Sequence, residues 1–228
     1  MFETRIFLKE TDSTMEFAKK IAGIVYPPFV VVSEIQTGGY GQYGRRWESP
    51  SGGLWFTEVF YAENSEALSL FLSLPIIRVL ESLCFANVRV KWPNDIYLNG
   101  KKLAGILTKI SGKTVFAGIG INVENEVPNV LTGIATTLKG NIKIGKTELL
   151  NKILKTQEEM FSEYVSSGFS PFVCEYNNHL IFLNKFVRVK AREEIISGAA
   201  LGVNGEGNLI IKTGSDSIKV RNGTIIDF

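Results

Sequence analysis

Apolar and polar positions divide the chain into stretches of two periods, one of about two residues and one of about 3.6. Asp12-Ser13-Thr14-Met15-Glu16 reads as a turn entering a helix, with Ser13 as N-cap and Glu16 at capping-box spacing. Phe17 and Ile21, four apart, share the buried face, and the helix must stop before Pro27-Pro28. Phe29 to Ser33, rich in valine, predicts a buried strand, and Leu54 to Tyr61 predicts another. From Ser65 to Phe85 the apolar residues Leu68, Phe71, Leu72, Ile76, Val79, Leu80 and Leu83 follow a helical period that Pro75 should kink or restart. Val88 to Trp92 is a short strand. Asn99-Gly100 then predicts a tight hairpin between Ile96–Leu98 and Leu103–Ile110, and Val115 to Val123 adds a further strand. A helix starting at Thr147 carries Leu150, Ile153, Leu154, Met160, Phe161 and Tyr164 at helical spacing. Ser170-Pro171 predicts an N-cap and first-turn proline of one more short helix.

From about Asn184 the texture changes. Phe186–Val189, Ile195-Ile196, Ala199–Val203, Leu209–Ile211 and Ile218–Val220 are short strand candidates, with hairpin turns expected at Asn204-Gly205 and Asn222-Gly223. So many short strands in so little chain predict a small closed β-barrel. The expected architecture is therefore α+β: a mixed sheet packed with helices over residues 1–182, then a small β domain over 183–228.

Composition narrows the function. Of 228 residues, 45% are hydrophobic and 21% charged, a globular balance. A net charge of +2 is too even for a protein that coats nucleic acid. No stretch resembles a spanning helix or a signal peptide, and Cys84 and Cys174 make neither a disulfide framework nor a zinc set. These features predict a soluble, cytoplasmic protein. His179 is the single histidine. It sits in a polar patch and reads as a surface or turn residue, which leaves zinc and triad chemistry without support. Neither a GxxxxGK[ST] loop nor a strand–GxGxxG–helix is present.

Two segments carry chemistry. The first is Gln36-Thr37-Gly38-Gly39-Tyr40-Gly41-Gln42-Tyr43-Gly44-Arg45-Arg46-Trp47. Its glycines let backbone N–H groups converge on an anion, its arginines supply charge, and Trp47 offers a flat face. The alternative is a flexible surface loop with a stray basic pair. The second is Lys91-Trp92-Pro93-Asn94-Asp95, followed by Lys101-Lys102-Leu103-Ala104-Gly105-Ile106. Asp95, at the end of a strand after a proline, is the one acid among five basic residues between Arg89 and Lys109. A lysine across the Asn99-Gly100 turn would face the same site. On its own this segment reads equally well as a structural hairpin with solvated lysines.

Taken together, KWPND, KKLAGIL and an upstream glycine- and arginine-rich loop ending in RRW resemble the catalytic core of biotin protein ligases. Asp12-Ser13-Thr14 and Gly118-Ile119-Gly120-Ile121-Asn122 extend the likeness, which runs from about residue 9 to the end. The resemblance implies a class II synthetase-like biotin–lipoate ligase fold with an SH3-like C-terminal barrel. It also implies two reactions in one site. Biotin's carboxylate attacks the α-phosphate of Mg-ATP to give biotinyl-5′-adenylate and pyrophosphate. A lysine of a biotin carboxyl carrier protein or domain, part of a carboxylase or decarboxylase, then attacks the anhydride and releases AMP.

Carried over by position, the resemblance implies that Ser13, Thr14 and Gln36 hydrogen-bond the biotin ring, with Gly39, Tyr40, Gly41, Gln42 and Gly105 beside them. Lys102 would bind carboxylate and phosphate oxygens, and Asp95 would orient the acceptor lysine and help remove its proton. Arg45 and Arg46 would meet the phosphates, Asn94 and Asn122 would lie near ATP, and Trp47 would contact adenine. No resident metal is implied, since Mg²⁺ enters with ATP. The family's paired subunits imply a homodimer through sheet edges. Because the catalytic pattern begins almost at Met1, a ligase without a DNA-binding domain is expected.

The chain departs from the family's GRGRxGRxW loop: Tyr40 and Gln42 stand where arginines are usual, and Met15 replaces the asparagine that follows the Ser-Thr pair. Closure over the adenylate would then rest on backbone N–H groups, the Gln42 amide, and Tyr40 or Tyr43 packed over biotin. Two rivals remain, a lipoate–protein ligase or lipoyl transferase of the same fold, and a non-catalytic biotin sensor.

Overall fold

The computed structural model describes every residue except 64–66. A seven-stranded mixed sheet comprises β1 (Thr4–Thr11), β2 (Phe29–Gln36), β3 (Leu54–Tyr61), β4 (Val88–Lys91), β5 (Asp95–Leu98), β6 (Lys101–Ser111) and β7 (Thr114–Ile121). Its order is β1-β2-β3-β7-β6-β5-β4. β1 and β2 run parallel, joined through α1 (Thr14–Ile21), and the other ladders are antiparallel. The type of turn chemistry expected at Asn99-Gly100 is present, with φ of 52° and 79°.

Strand alternation divides the core in two. On β3, Leu54, Phe56 and Phe60 point toward α2 (Leu68–Ser82) and α3 (Lys146–Ser167), in the larger apolar cluster. Val59 points the other way, joining Met15, Ala18, Phe29, Val31 and Phe116 under α1. α3 buries the expected Leu150, Ile153, Leu154, Met160, Phe161 and Tyr164. Burial of side chains this size contributes roughly 1.5–3 kcal/mol each.

α2 runs unbroken through Pro75, so the expected restart does not occur; Ser65, where that helix was expected to open, lies outside the described residues. Ser170 is not an N-cap either. It begins a 3₁₀ turn, Ser170–Phe172, that leads straight into α4 (Val173–His179), and no side chain caps either start.

The C-terminal strands β8 (Phe186–Ala191), β9 (Glu194–Val203), β10 (Leu209–Thr213), β11 (Asp216–Val220) and β12 (Thr224–Asp227) form an antiparallel sheet of order β11-β10-β9-β8-β12. The SH3-like arrangement stands, but among the described residues no ladder joins β11 to β12, so the expected barrel is not closed. The expected strands at 195–196 and 199–203 are one strand, β9. Asn204-Gly205 is not a two-residue hairpin: Asn204 Oδ1 accepts from the N–H groups of Glu206 and Asn208, bending a longer loop. Asn222-Gly223 leads from one edge strand to the other, so it is no hairpin. The hairpin turns fall instead near Arg192 and Gly214, both at positive φ. Trp92 Nε1 donates to Gly207 O at 3.0 Å, tying this sheet to the end of β4.

Candidate active site

The site lies on the α1 side of the large sheet, where Gly105 on β6 and Gly118 and Gly120 on β7 leave the floor without side chains. Gly105 pairs with Gly120, which pairs in turn with Trp55 on β3. The Trp47 indole lies on this glycine floor. A Cβ on Gly120 would come within 2.6 Å of Trp47 Nε1, and one on Gly105 within 3.3 Å of its ring. The resulting cavity has a volume of about 380 Å³. Of the residues given a role by position in the sequence, all but Gly39 line it, whereas Tyr43 does not. Gly39 stands behind the wall, where a side chain would strike Trp47 O and Ser49 Oγ.

One end is polar and made by α1 and β2. Gln36 Oε1 accepts from Thr14 N at 2.8 Å and from Thr14 Oγ1 at 3.0 Å, and Gln36 Nε2 donates to Ser49 Oγ at 2.9 Å. Thr57 Oγ1 lies 2.9 Å from Thr14 Oγ1. Ser13 caps α1 as expected, its oxygen accepting from Glu16 N. The capping box is only half made, because Ser13 N donates to Asp12 instead of to Glu16. That bond, with those from Thr11 and the charge of Lys20, holds the Asp12 carboxyl below its usual range.

The middle of the cavity is charged. Lys102 Nζ lies 2.7 Å from Asp95 Oδ1 and 5.1 Å from the Trp47 ring centroid. Asp95 opens β5 and does not end a strand as expected, which sets it beside β6 and directly opposite Lys91 on β4. Burial, reinforced by the nearby Asp95 charge, pushes the Tyr97 phenol up to about 12. Asn94 is locked to β6: its Nδ2 donates to Ile106 O, and its carbonyl accepts from Ile106 N.

The glycine-rich loop is already folded. Gly41 N donates to Arg45 O at 2.7 Å and Trp47 N to Gly39 O at 2.9 Å, around a tight turn at Gln42–Gly44. Tyr40 lines the cavity, and its hydroxyl donates to Glu16 Oε1 on α1 at 2.5 Å. Burial and that carboxylate raise the Tyr40 phenol, while Lys19 and Tyr40 hold Glu16 below its ordinary value. Tyr43 points away, exposed, with the Arg45 guanidinium 5.4 Å from its ring centroid. Arg46 pairs with Glu48 at 2.7 Å.

The far end comes from residues that gave no periodic signal. Val127, Pro128, Leu131 and Ile134 form an apolar wall, with Asn122 and Asn125 at its base. Lys102 N donates to Ile134 O at 2.8 Å and Thr136 N to Lys102 O at 2.9 Å, so backbone pairing fixes the wall to the lysine's own strand. Asn125 Nδ2 donates to Asn122 Oδ1 at 3.1 Å. Thr57 was also missed, and its one sequence signal is a lone threonine within the apolar run of β3. His179 ends α4, between Glu175 O and Glu81.

A glycine-floored cavity with an amide and hydroxyls at one end, a lysine–carboxylate pair at its centre and an apolar wall beyond is the geometry of an acyl-activating ligase. Residues 7–124 match the biotin/lipoate A/B protein ligase family, and the chain belongs to that family. Residues 182–228 match the biotin protein ligase C-terminal domain. The chain is 30% identical over 229 residues to the bifunctional ligase/repressor BirA of Bacillus subtilis, covering 93% of this chain and 70% of that one. It is 25% identical over 223 residues to biotin--[acetyl-CoA-carboxylase] ligase of Mycobacterium tuberculosis, covering 92% and 82%. Among solved structures, biotin protein ligase from Aquifex aeolicus in complex with biotin and ATP superposes with a TM-score of 0.90 at 32% identity, covering 98% of both chains.

Proposed function

We propose that this chain is a biotin–protein ligase. It activates biotin with ATP to biotinyl-5′-adenylate and transfers biotin to a lysine of a carboxylase's biotin carrier domain. The observation that carries the reading is the gathering of KWPND, KLAGI and the glycine-rich loop around one cavity centred on Lys102 and Asp95. Relatives named as biotin ligases, and a structural neighbour described with biotin and ATP, support it.

On this reading the biotin ring sits at the polar end, where Ser13, Thr14 and Gln36 offer donors and acceptors beside Gly105 and the loop. Lys102 turns from Asp95 to the biotin carboxylate and the α-phosphate, where negative charge develops in a site shielded from water. Asp95 then faces the incoming acceptor lysine and takes up its proton. Arg45 and Arg46, at the loop's mouth, meet the phosphates with forked donors. Asn94 and Asn122 stand beside the nucleotide. Adenine fits between Trp47 and the wall of Leu131 and Ile134, and Mg²⁺ travels with the phosphates as part of the substrate.

The reading also takes residues 1–182 as the catalytic domain and 183–228 as the second domain. It pairs two subunits along sheet edges, for which the open side of β1, with exposed Phe7, is available. It places the enzyme in the cytoplasm, in keeping with the free Cys84 and Cys174, and away from DNA, in keeping with the net charge of +2. Pyrophosphate exchange into ATP tests it: exchange with biotin and not with lipoate is expected. Exchange with lipoate alone would make the chain a lipoate ligase, and exchange with neither would make it a sensor.

A further inference from the structure

Among the described residues Asp95 has one ion-pair partner, and a second cation stands opposite. Lys102 Nζ holds it at 2.7 Å. Lys91 is its direct neighbour across the β4–β5 ladder, where facing Cβ atoms stand about 4.5–5.5 Å apart. The Lys91 ammonium is half-buried and has no carboxylate within ion-pairing distance among the described residues. Its other side is covered by the Phe228 ring, 5.3 Å away. Burial lowers the Lys91 ammonium, the Asp95 charge opposes it, and the smaller effects of Lys102 and Arg45 add to the lowering. A half-buried cation left unpaired beside a carboxylate that already has a partner is costly unless that partner leaves.

We infer that Lys91 is a positioning residue that takes over Asp95 when Lys102 turns to the substrate. This rests on the reading of the site given above. The exchange keeps Asp95 paired at every stage, so Lys102 is released without stranding a carboxylate, and Asp95 stays in place for the acceptor lysine. Tyr97 and Tyr176 also lie within reach of the Asp95 charge but carry none of their own at neutral pH, their phenols being raised. Arg45 belongs to the loop and faces the phosphates. Lys91 is therefore the cation on the sheet placed to make the exchange.

The test is single-turnover formation of biotinyl-adenylate by the full chain carrying Lys91→Met, Lys91→Arg, Asp95→Asn, and Lys91→Met with Asp95→Asn. With Asp95 present, Lys91→Met should slow adenylate formation about ten-fold, a coupling of ordinary size for charges in contact. With Asp95→Asn in the background, the same change should cost less than about two-fold, because no carboxylate then holds Lys102 back. Lys91→Arg should restore most of the rate, and melting temperatures show which variants are folded. An equal loss in both backgrounds would overturn the inference and place Lys91 on the substrate or in the fold. No loss from Lys91→Met would overturn it too. Adenylate formation by the unmodified chain is scored separately, so a failure of the ligase reading is not mistaken for a failure of the exchange.

Discussion

Glu58 is fully buried in β3, on the face opposite Thr57 and the cavity. Its Oε2 accepts from Gln157 Nε2 of α3 at 2.8 Å, while Glu58 Oε1 and Gln157 Oε1 have no hydrogen-bond partner among the described residues. Two orphaned acceptors side by side make sense if Glu58 is a neutral acid whose hydroxyl donates to the Gln157 oxygen, closing an acid–amide ring. Burial raises Glu58 from 4.5 to about 8, against a smaller opposing effect from the Gln157 bond. The folded state therefore holds a proton that the unfolded state releases. The stability this acid contributes is complete below pH 4.5 and is lost as pH climbs to about 8. At about 1.36 kcal/mol for each pH unit, the ceiling over that window is roughly 5 kcal/mol, and relaxation around the charge should leave about 2. Glu58→Gln supplies a permanent amide donor to Gln157 and cannot ionise. Its melting temperature should match the unmodified protein near pH 5 and exceed it at pH 9 by roughly 5 °C, at about 2–4 °C per kcal/mol for a chain of this size. Unfolding followed by circular dichroism from pH 5 to 9 decides it. A Glu58→Gln protein no more stable at pH 9, or an unmodified protein whose stability is flat across the range, would refute the reasoning.

Lys102→Ala should reduce adenylate formation by about 10²–10³ with the melting temperature unchanged, since it removes charge aimed at the reacting oxygens and little packing; adenylate formation at the unmodified rate would disprove its role. Asp95→Ala should slow transfer from preformed adenylate by about 10² and adenylation much less; equal loss in both half-reactions would make Asp95 a shaper of the site. Gln42→Arg, which restores a charged donor to the loop, should slow release of labelled adenylate in a chase without acceptor, and equal or faster release would count against it. Tyr40→Phe, which deletes the donor to Glu16, should speed release by about ten- to a hundred-fold, the effect of losing a bond to a charged acceptor worth roughly 1.5–3 kcal/mol; unchanged release would mean that the Tyr40–Glu16 contact does not hold the loop.

Much of the fold was legible because it is written in local periods. α3 shows one apolar stripe over 22 residues, and the Asn99-Gly100 hairpin needs nothing beyond two residues at positive φ. β1 left no such mark, since an edge strand with Ile6 and Leu8 only half-buried alternates weakly. Asn222-Gly223 announced a turn, but turn chemistry does not say which strands are paired. The wall at residues 127–135 was invisible for a different reason: it is held by backbone bonds to Lys102, some thirty residues away, and not by any period of its own. In the cavity the residue types that make chemistry were legible, but their present partners were not. That Tyr40 turns to Glu16, and that Gln36 bridges Thr14 and Ser49, depends on α1 lying across the loop.

The most direct test of the ligase reading is the mass of an apo biotin carrier domain after incubation with the chain, biotin and Mg-ATP. The reading predicts a gain of one biotinyl group on one lysine, absent when ATP is omitted, when lipoate replaces biotin, or when Lys102→Ala replaces the unmodified chain. A carrier domain of unchanged mass, although the chain binds biotin, would contradict it.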